Sequence, residues 1–248
     1  MHHAIVGVLH PIYEKIFISD SYATRKNKGV HKAIERARYF IRTNAWYLKS
    51  DVQKYFNTAD HEVLLRLFTR KIKDTRLLDL LEKIVVNGGV AGRGLPIGNQ
   101  TSQFFSNIYL DQLDHFLKEN NRMHSYIRYM DDFVVFSNDK KELLNLRHEI
   151  LAFLAENLKL QLKEKATYIN SRANSLSFLG RRIFPSIIRI QSENLKRCLK
   201  NLDRRRHEYT VGLIDEKRLM QSQASCMANL KLWNTYHLRK KIYAGQLS

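Results

Sequence analysis

The chain has 248 residues, 44% of them hydrophobic and 27% charged, a balance that supports a buried core and excludes a disordered or fibrous polymer. Lys and Arg number 42 against 24 Asp and Glu, a net charge of +18, which points to a polyanionic partner, nucleic acid before a membrane surface. No run approaches the ~18 apolar residues of a spanning helix, and residues 1–10 lack the basic start and small-residue cleavage site of a signal peptide, so the cytoplasm is the expected compartment.

Along the chain, residues 10–40 read as helix, loop, helix, broken by the basic, turn-forming stretch 19–29. Residues 45–52 form a short aromatic-rich strand that ends on Asp51. Asp60 is placed to cap the next helix, Glu62 suits its positive end, and Val63, Leu64, Leu67, Phe68 and Ile72 recur at helical spacing. Five of the ten glycines fall between Gly88 and Gly98, a flexible stretch feeding a helix over residues 101–110. Residues 125–137 read as two β-prone runs meeting at Asp131-Asp132.

A helix over 140–157 and a strand over 177–184 complete one α/β unit. After Pro185 the chain turns helical and basic, and a soft boundary falls near Ile190. There Leu195, Leu199 and Leu202 begin an amphipathic pattern flanked by Lys196, Arg197, Lys200, Arg204, Arg205 and Arg206. That pattern fits a solvated helix face as well as a nucleic-acid contact. No period of ~20–50 residues repeats. Cys198 and Cys226 have no zinc-ligand spacing and read as reduced core thiols.

Two adjacent carboxylates flanked by Phe133, Val134, Val135 and Phe136 carry a large desolvation cost unless a cation compensates them. An Asp-Asp turn at a hairpin tip is the bland alternative, since Asp tolerates turn geometry. A third carboxylate from another strand, Asp51, is what a two-metal phosphoryl-transfer centre needs. Magnesium suits such a centre because it accepts few carboxylates, and the Val52 carbonyl is a further candidate ligand. A nucleotide-triphosphatase loop is excluded, because Asn99 follows Gly98 where a P-loop requires Lys.

A strand ending on Asp51, a Gly/Pro-containing loop over 94–103 before a helix, and the Tyr129-Met130-Asp131-Asp132 hairpin occur in that order. In this they resemble the palm of reverse transcriptases. Residues 21–29 look like the family's second block, residues 51–56 and 129–132 like its two catalytic blocks, residues 158–165 like its lysine block, and residues 178–182 like its primer grip. The resemblance covers residues 6–238.

It implies an α/β (α+β) right-hand polymerase: an antiparallel palm sheet packed on helices (44–190), partial fingers (1–43) and a helical thumb (191–248). It also implies an RNA-directed DNA polymerase with catalytic Asp51, Asp131, Asp132 and Lys165. Two Mg2+ ions, with Mn2+ as substitute, would be held by Asp51, Val52, Asp131 and Asp132. The nucleotide would be bound by Arg25, Phe56 and Gln103, and the primer gripped by Phe178, Leu179 and Gly180. Lys26, Lys28, Lys196, Arg197 and Lys200 would contact nucleic-acid phosphates.

The implied partners are an RNA template, a DNA or RNA primer and deoxynucleoside triphosphates, with no membrane. The Ser102-Gln103 pair resembles the reverse transcriptases of diversity-generating retroelements, which adds a basic accessory variability protein. A group II intron or retron-type enzyme is the alternative subtype, and a non-catalytic RNA-binding remnant is the alternative class. The family's basic upstream fingers block is expected to be missing, so that binding persists while extension is weak.

Overall fold

In the computed structural model, which describes residues 2–96, 98–231 and 235–243, the first compact unit runs over Met1–Arg172. Its helices are α1 (His2–Tyr13), α2 (Val30–Thr43), the short α3 (Tyr55–Thr58), α4 (His61–Thr69), α5 (Thr75–Val86), α6 (Gln100–His115) and α7 (Lys140–Leu158). The β-branched and aromatic runs pair as β1 (Trp46–Asp51), β2 (Tyr126–Tyr129), β3 (Asp132–Ser137) and β4 (Tyr168–Ser171). They form an antiparallel sheet of order β2-β3-β1-β4.

Because side chains alternate across a strand, the register decides what each face of this sheet carries. Leu48 lies opposite Val135, and Ser50 opposite Phe133. This face is dry. Leu48, Phe133 and Val135 join Leu110, Leu113 and Leu117 from α6 and its extension with Leu143, Ile150 and Leu154 of α7 in one core, and each fully buried side chain of this kind contributes roughly 1.5–3 kcal/mol. The opposite face starts as an aromatic cluster, Phe40 of α2 lying 5.5 Å from Phe136, which is 6.3 Å from Tyr47. It ends at the acidic pair Asp51 and Asp132, which lie opposite each other.

Asp60 caps α4 as its position predicts, accepting from the Val63 N–H at 3.0 Å, and it pairs with Lys159 at 3.1 Å. Strand β4 and helix α5, in contrast, have no counterpart in the sequence reading.

The second compact unit runs over Ala173–Ser248. It holds a three-stranded antiparallel sheet, β5 (Leu176–Phe178), β6 (Arg181–Ile183) and β7 (Ile188–Ile190), followed by α8 (Ser192–Thr210), α9 (Glu216–Lys231) and α10 (Tyr236–Tyr243). Three expectations change here. The run 177–184 is a hairpin rather than one strand, because Leu179 and Gly180 both adopt left-handed backbone, φ 48° and 75°, as a two-residue hairpin turn demands. The segment after Pro185 is strand β7 before it is helix. The division falls at Arg172, where the sequence placed it near Ile190, because β5–β7 belong with the helices that follow them.

The cysteines also differ from expectation. Cys198 of α8 and Cys226 of α9 form a disulfide within a small apolar core of Leu202, Leu230 and Ile242. Their 28-residue separation concealed a tertiary contact that only the packing of α8 on α9 creates.

Candidate active site

The acids meet where β1 ends and the β2–β3 hairpin turns. Tyr129 pairs with Asp132, so the turn consists of Met130 and Asp131 alone. Met130 takes a left-handed φ of 56°, a conformation that Gly, Asn or Asp would adopt at less cost. The Val52 N–H donates to the Asp131 carbonyl at 3.2 Å, stitching the turn to the chain just past Asp51. Three carboxylates from two sequence-distant segments thus share one end of the sheet.

Their electrostatics follow from that crowding. Burial raises the Asp51 carboxyl above its ordinary range, against the opposing charges of Lys163 and Lys49. Burial raises Asp131 as well, and the charge of Asp51 adds to the effect. Asp132 is pushed up to about 6, chiefly by burial, although Lys49 opposes the shift. The Lys49 Nζ donates to Asp132 Oδ1 at 2.9 Å. Asp132 therefore already has a cationic partner within the chain, whereas Asp51 and Asp131 raise a mutual repulsion that an added cation would relieve. Among the described residues, no three His, Cys, Asp or Glu side chains form a ready-made metal cage.

Beneath the turn lies a polar group that the sequence reading did not single out. Arg128 of β2 is fully buried and pairs with the buried Asp114 of α6, with Nε to Oδ1 at 2.7 Å and Nη2 to Oδ2 at 2.6 Å. The Tyr126 hydroxyl donates to the same Oδ1 at 2.7 Å. The one available signal was an arginine inside an otherwise apolar strand run, since a buried charge is tolerated only when paired.

The remaining predicted residues scatter. Phe56, on α3, packs partly buried against the main core with its ring 5.5 Å from Tyr55, and its carbonyl accepts from the Leu95 N–H at 2.6 Å. That bond ties the glycine-rich loop to α3. Ile97 of this loop lies outside the described residues. Gln103, in the first turn of α6, accepts from the Thr24 hydroxyl at 3.2 Å, so loop 19–29 sits beside the α6 N-terminus.

Arg25 is engaged within the chain. Its guanidinium binds Glu14 through Nε and Nη2 and the Ile18 and Ser21 carbonyls through Nη1, and its side chain is 5% exposed. Lys26 is exposed, while Lys28 donates to the Ser19 carbonyl at 2.6 Å and lies over the Tyr22 ring.

Lys165 is exposed in a single 3-10 turn (Glu164–Ala166). Two residues earlier, Lys163 donates its N–H to the Asp51 carbonyl at 2.8 Å, and its charge acts on both Asp51 and Asp131. Lys163 is thus the lysine of this segment whose charge acts on the acids. Phe178, Leu179 and Gly180 form the β5–β6 hairpin of the second unit, with Phe178 buried. Lys196, Arg197 and Lys200 lie exposed on α8 of the same unit.

The family model described as reverse transcriptase (RNA-dependent DNA polymerase) matches residues 1–183. Protein YkfC of Escherichia coli K12 is 28% identical over 73% of this chain and 59% of its own length. The group II intron-encoded protein LtrA of Lactococcus lactis subsp. cremoris is 22% identical over 71% of this chain and 41% of its own. The chain therefore spans about half the length of these relatives. Among solved structures, telomerase from Candida tropicalis in complex with a fragment of telomeric RNA aligns with TM-score 0.61 and 15% identity, covering 97% of this chain and 46% of that one, a likeness of fold. The sheet, its acid-bearing hairpin and the match over residues 1–183 place this chain in the reverse transcriptase family.

Proposed function

We propose that this chain catalyses RNA-templated addition of deoxynucleotides to a primer. The observation that carries this reading is the convergence of Asp51, Asp131 and Asp132 at one end of the sheet, with burial holding all three carboxyls above their ordinary range. The donor set is all oxygen, partly desolvated and self-repelling, which fits a hard divalent cation that takes its other ligands from phosphate and water. Asp51 and Asp131 would hold magnesium or manganese, with the Val52 carbonyl beside them and Asp132 contributing less directly because Lys49 engages it. Bound there, a pair of such ions supplies charge stabilisation for the attacking and leaving oxygens of phosphoryl transfer.

The chain's own groups do the rest. The charge of Lys163 favours the ionised acids, and the exposed Lys165 two residues on would meet the leaving pyrophosphate. Phe56 offers an apolar ring that cannot satisfy a ribose 2′-hydroxyl, and a site that leaves such a group unpaired rejects it. Lys26, Lys196, Arg197 and Lys200 are exposed cations suited to phosphate backbones.

Two subtypes differ in the observation that favours each. Ser102-Gln103 supports a diversity-generating retroelement enzyme with its accessory protein. Similarity to the group II intron-encoded protein LtrA supports a group II intron type. Sequencing cDNA made by the full chain on an adenine-rich RNA template separates them: errors concentrated at template adenines support the first subtype, and even fidelity across the four bases supports the second. Absence of any cDNA from a primed template in magnesium would contradict the activity itself.

A further inference from the structure

We infer that Arg128 is a positioning residue that fixes the turn presenting Asp131. The inference rests on the proposed cation site, but it concerns a different residue and a different face of the sheet. The Arg128 side chain is fully buried, and its five N–H donors meet five acceptors. Nε and Nη2 hold the two oxygens of Asp114. Nη1 donates to the Met130 carbonyl at 3.0 Å and to Asn107 Oδ1 at 3.3 Å. Nη2 also reaches Ser21 Oγ at 3.3 Å.

Met130 is the strained residue of the two-residue turn, with φ 56°, and strain of this kind persists only where the surroundings over-determine the backbone. Arg128 supplies that constraint from below, because its guanidinium plane is locked by the bidentate pair with Asp114 before it reaches the carbonyl. Its own backbone adds to the lock, donating to the Asp20 carbonyl and accepting from the Tyr22 N–H, both at 3.0 Å. Asn107 in turn donates to the Ala23 carbonyl at 2.8 Å, so loop, helix and turn close on one side chain.

A buried Arg–carboxylate pair is a poor device for stability, since apolar replacements of similar volume are often as stable. It is a good device for direction. A fork with fixed geometry can aim one carbonyl, and through it the next residue, in a way that a lysine ammonium cannot. Groups that orient a metal-binding carboxylate from behind change cation affinity or activity by about 10–100-fold when removed.

The test is Mn2+ binding to the full chain, followed by loss of the free-ion electron paramagnetic resonance signal, alongside primer–template affinity. Arg128→Lys is expected to weaken Mn2+ binding about tenfold or more and to leave primer–template affinity within about twofold. Tyr126→Phe deletes another bond to Asp114 without touching Met130, and is expected to keep Mn2+ affinity within about twofold of the unmodified chain. Should Arg128→Lys not fold, Arg128→Met with Asp114→Leu removes both charges together and is expected to show the same weakened binding.

Unchanged Mn2+ affinity in the folded Arg128 variant overturns the inference, as does an equal loss in Tyr126→Phe, which would make the network structural only. Asp51→Asn and Asp131→Asn in the same titration separate the two readings. If they leave Mn2+ binding intact, the cation site fails and this inference with it. If they abolish it while the Arg128 variants do not, this inference alone fails.

Discussion

His115 shows how one side chain can couple pH to stability outside the acidic centre. Its ring lies 3.4 Å from Asp111 and 2.6 Å from Glu119, and these carboxylates, Asp111 foremost, raise it to about 9 against the effect of burial. A histidine whose folded pKa is raised contributes stability that is fully present below its unfolded value of about 6.5 and is lost as pH rises through about 9. With the ring 30% exposed, solvent screening reduces the expected contribution to about 1–2 kcal/mol. His115→Gln should therefore lower the denaturation midpoint at pH 6, with the difference closing by pH 10; a difference independent of pH would refute the ion-pair origin.

Phe56 yields a second outcome at this scale. Phe56→Ala should raise ribonucleotide incorporation at least tenfold relative to deoxynucleotide if the ring screens the sugar, and unchanged selectivity would assign it to packing against Tyr55. The acids themselves were legible in the sequence because carboxylates beside apolar β-runs need a physical reason to be there. The Glu14 partner of Arg25 was not, because it lies a helix end away and local composition shows only a basic loop.

At the scale of elements, periodicity identified α4, α6, α7 and α8 and the β2–β3 hairpin but passed over the 12-residue α5, and short strands separated by apolar turns merged. Leu179-Gly180 carries no Asn or Asp to mark a turn, so β5 and β6 read as one strand. Gly180 accounts for the geometry: at φ 75° an added Cβ would meet Asn194 Nδ2 at 2.4 Å. Gly180→Ala should cost about 1–3 kcal/mol. Adding Asn194→Ala should recover only the steric part, because the backbone strain remains; full recovery in thermal unfolding would deny that strain.

The α8–α9 pairing makes a different demand. Cross-linking across 28 residues stabilises a fold by about 3–4 kcal/mol through restriction of the unfolded chain. Reduction with dithiothreitol, or Cys198→Ser with Cys226→Ser, should raise amide hydrogen exchange in α8 and α9 while leaving β1–β3 unchanged. Equal exchange in both redox states would show that the disulfide does not hold this unit.

For the whole molecule, the net charge of +18 and the exposed Lys26, Lys196, Arg197 and Lys200 would make the proposed association with a primer–template a counterion-release process. Affinity should fall steeply between 50 and 200 mM salt, by roughly tenfold or more if even a few phosphates are neutralised, and a flat titration would remove the electrostatic account. Charge alone cannot distinguish a polymerase from a binding protein. On the proposed reading the acid-bearing turn separates them, since nucleotide transfer would need Asp51 and Asp131 whereas holding a duplex would not.

The most direct measurement is single-turnover incorporation of one deoxynucleotide on an RNA-templated primer, made in magnesium, with binding followed in the same samples. Asp51→Asn and Asp131→Asn are each expected to slow incorporation at least 100-fold while primer–template affinity stays within about threefold. Incorporation at the unmodified rate in either variant, with binding intact, would contradict the assignment of this site.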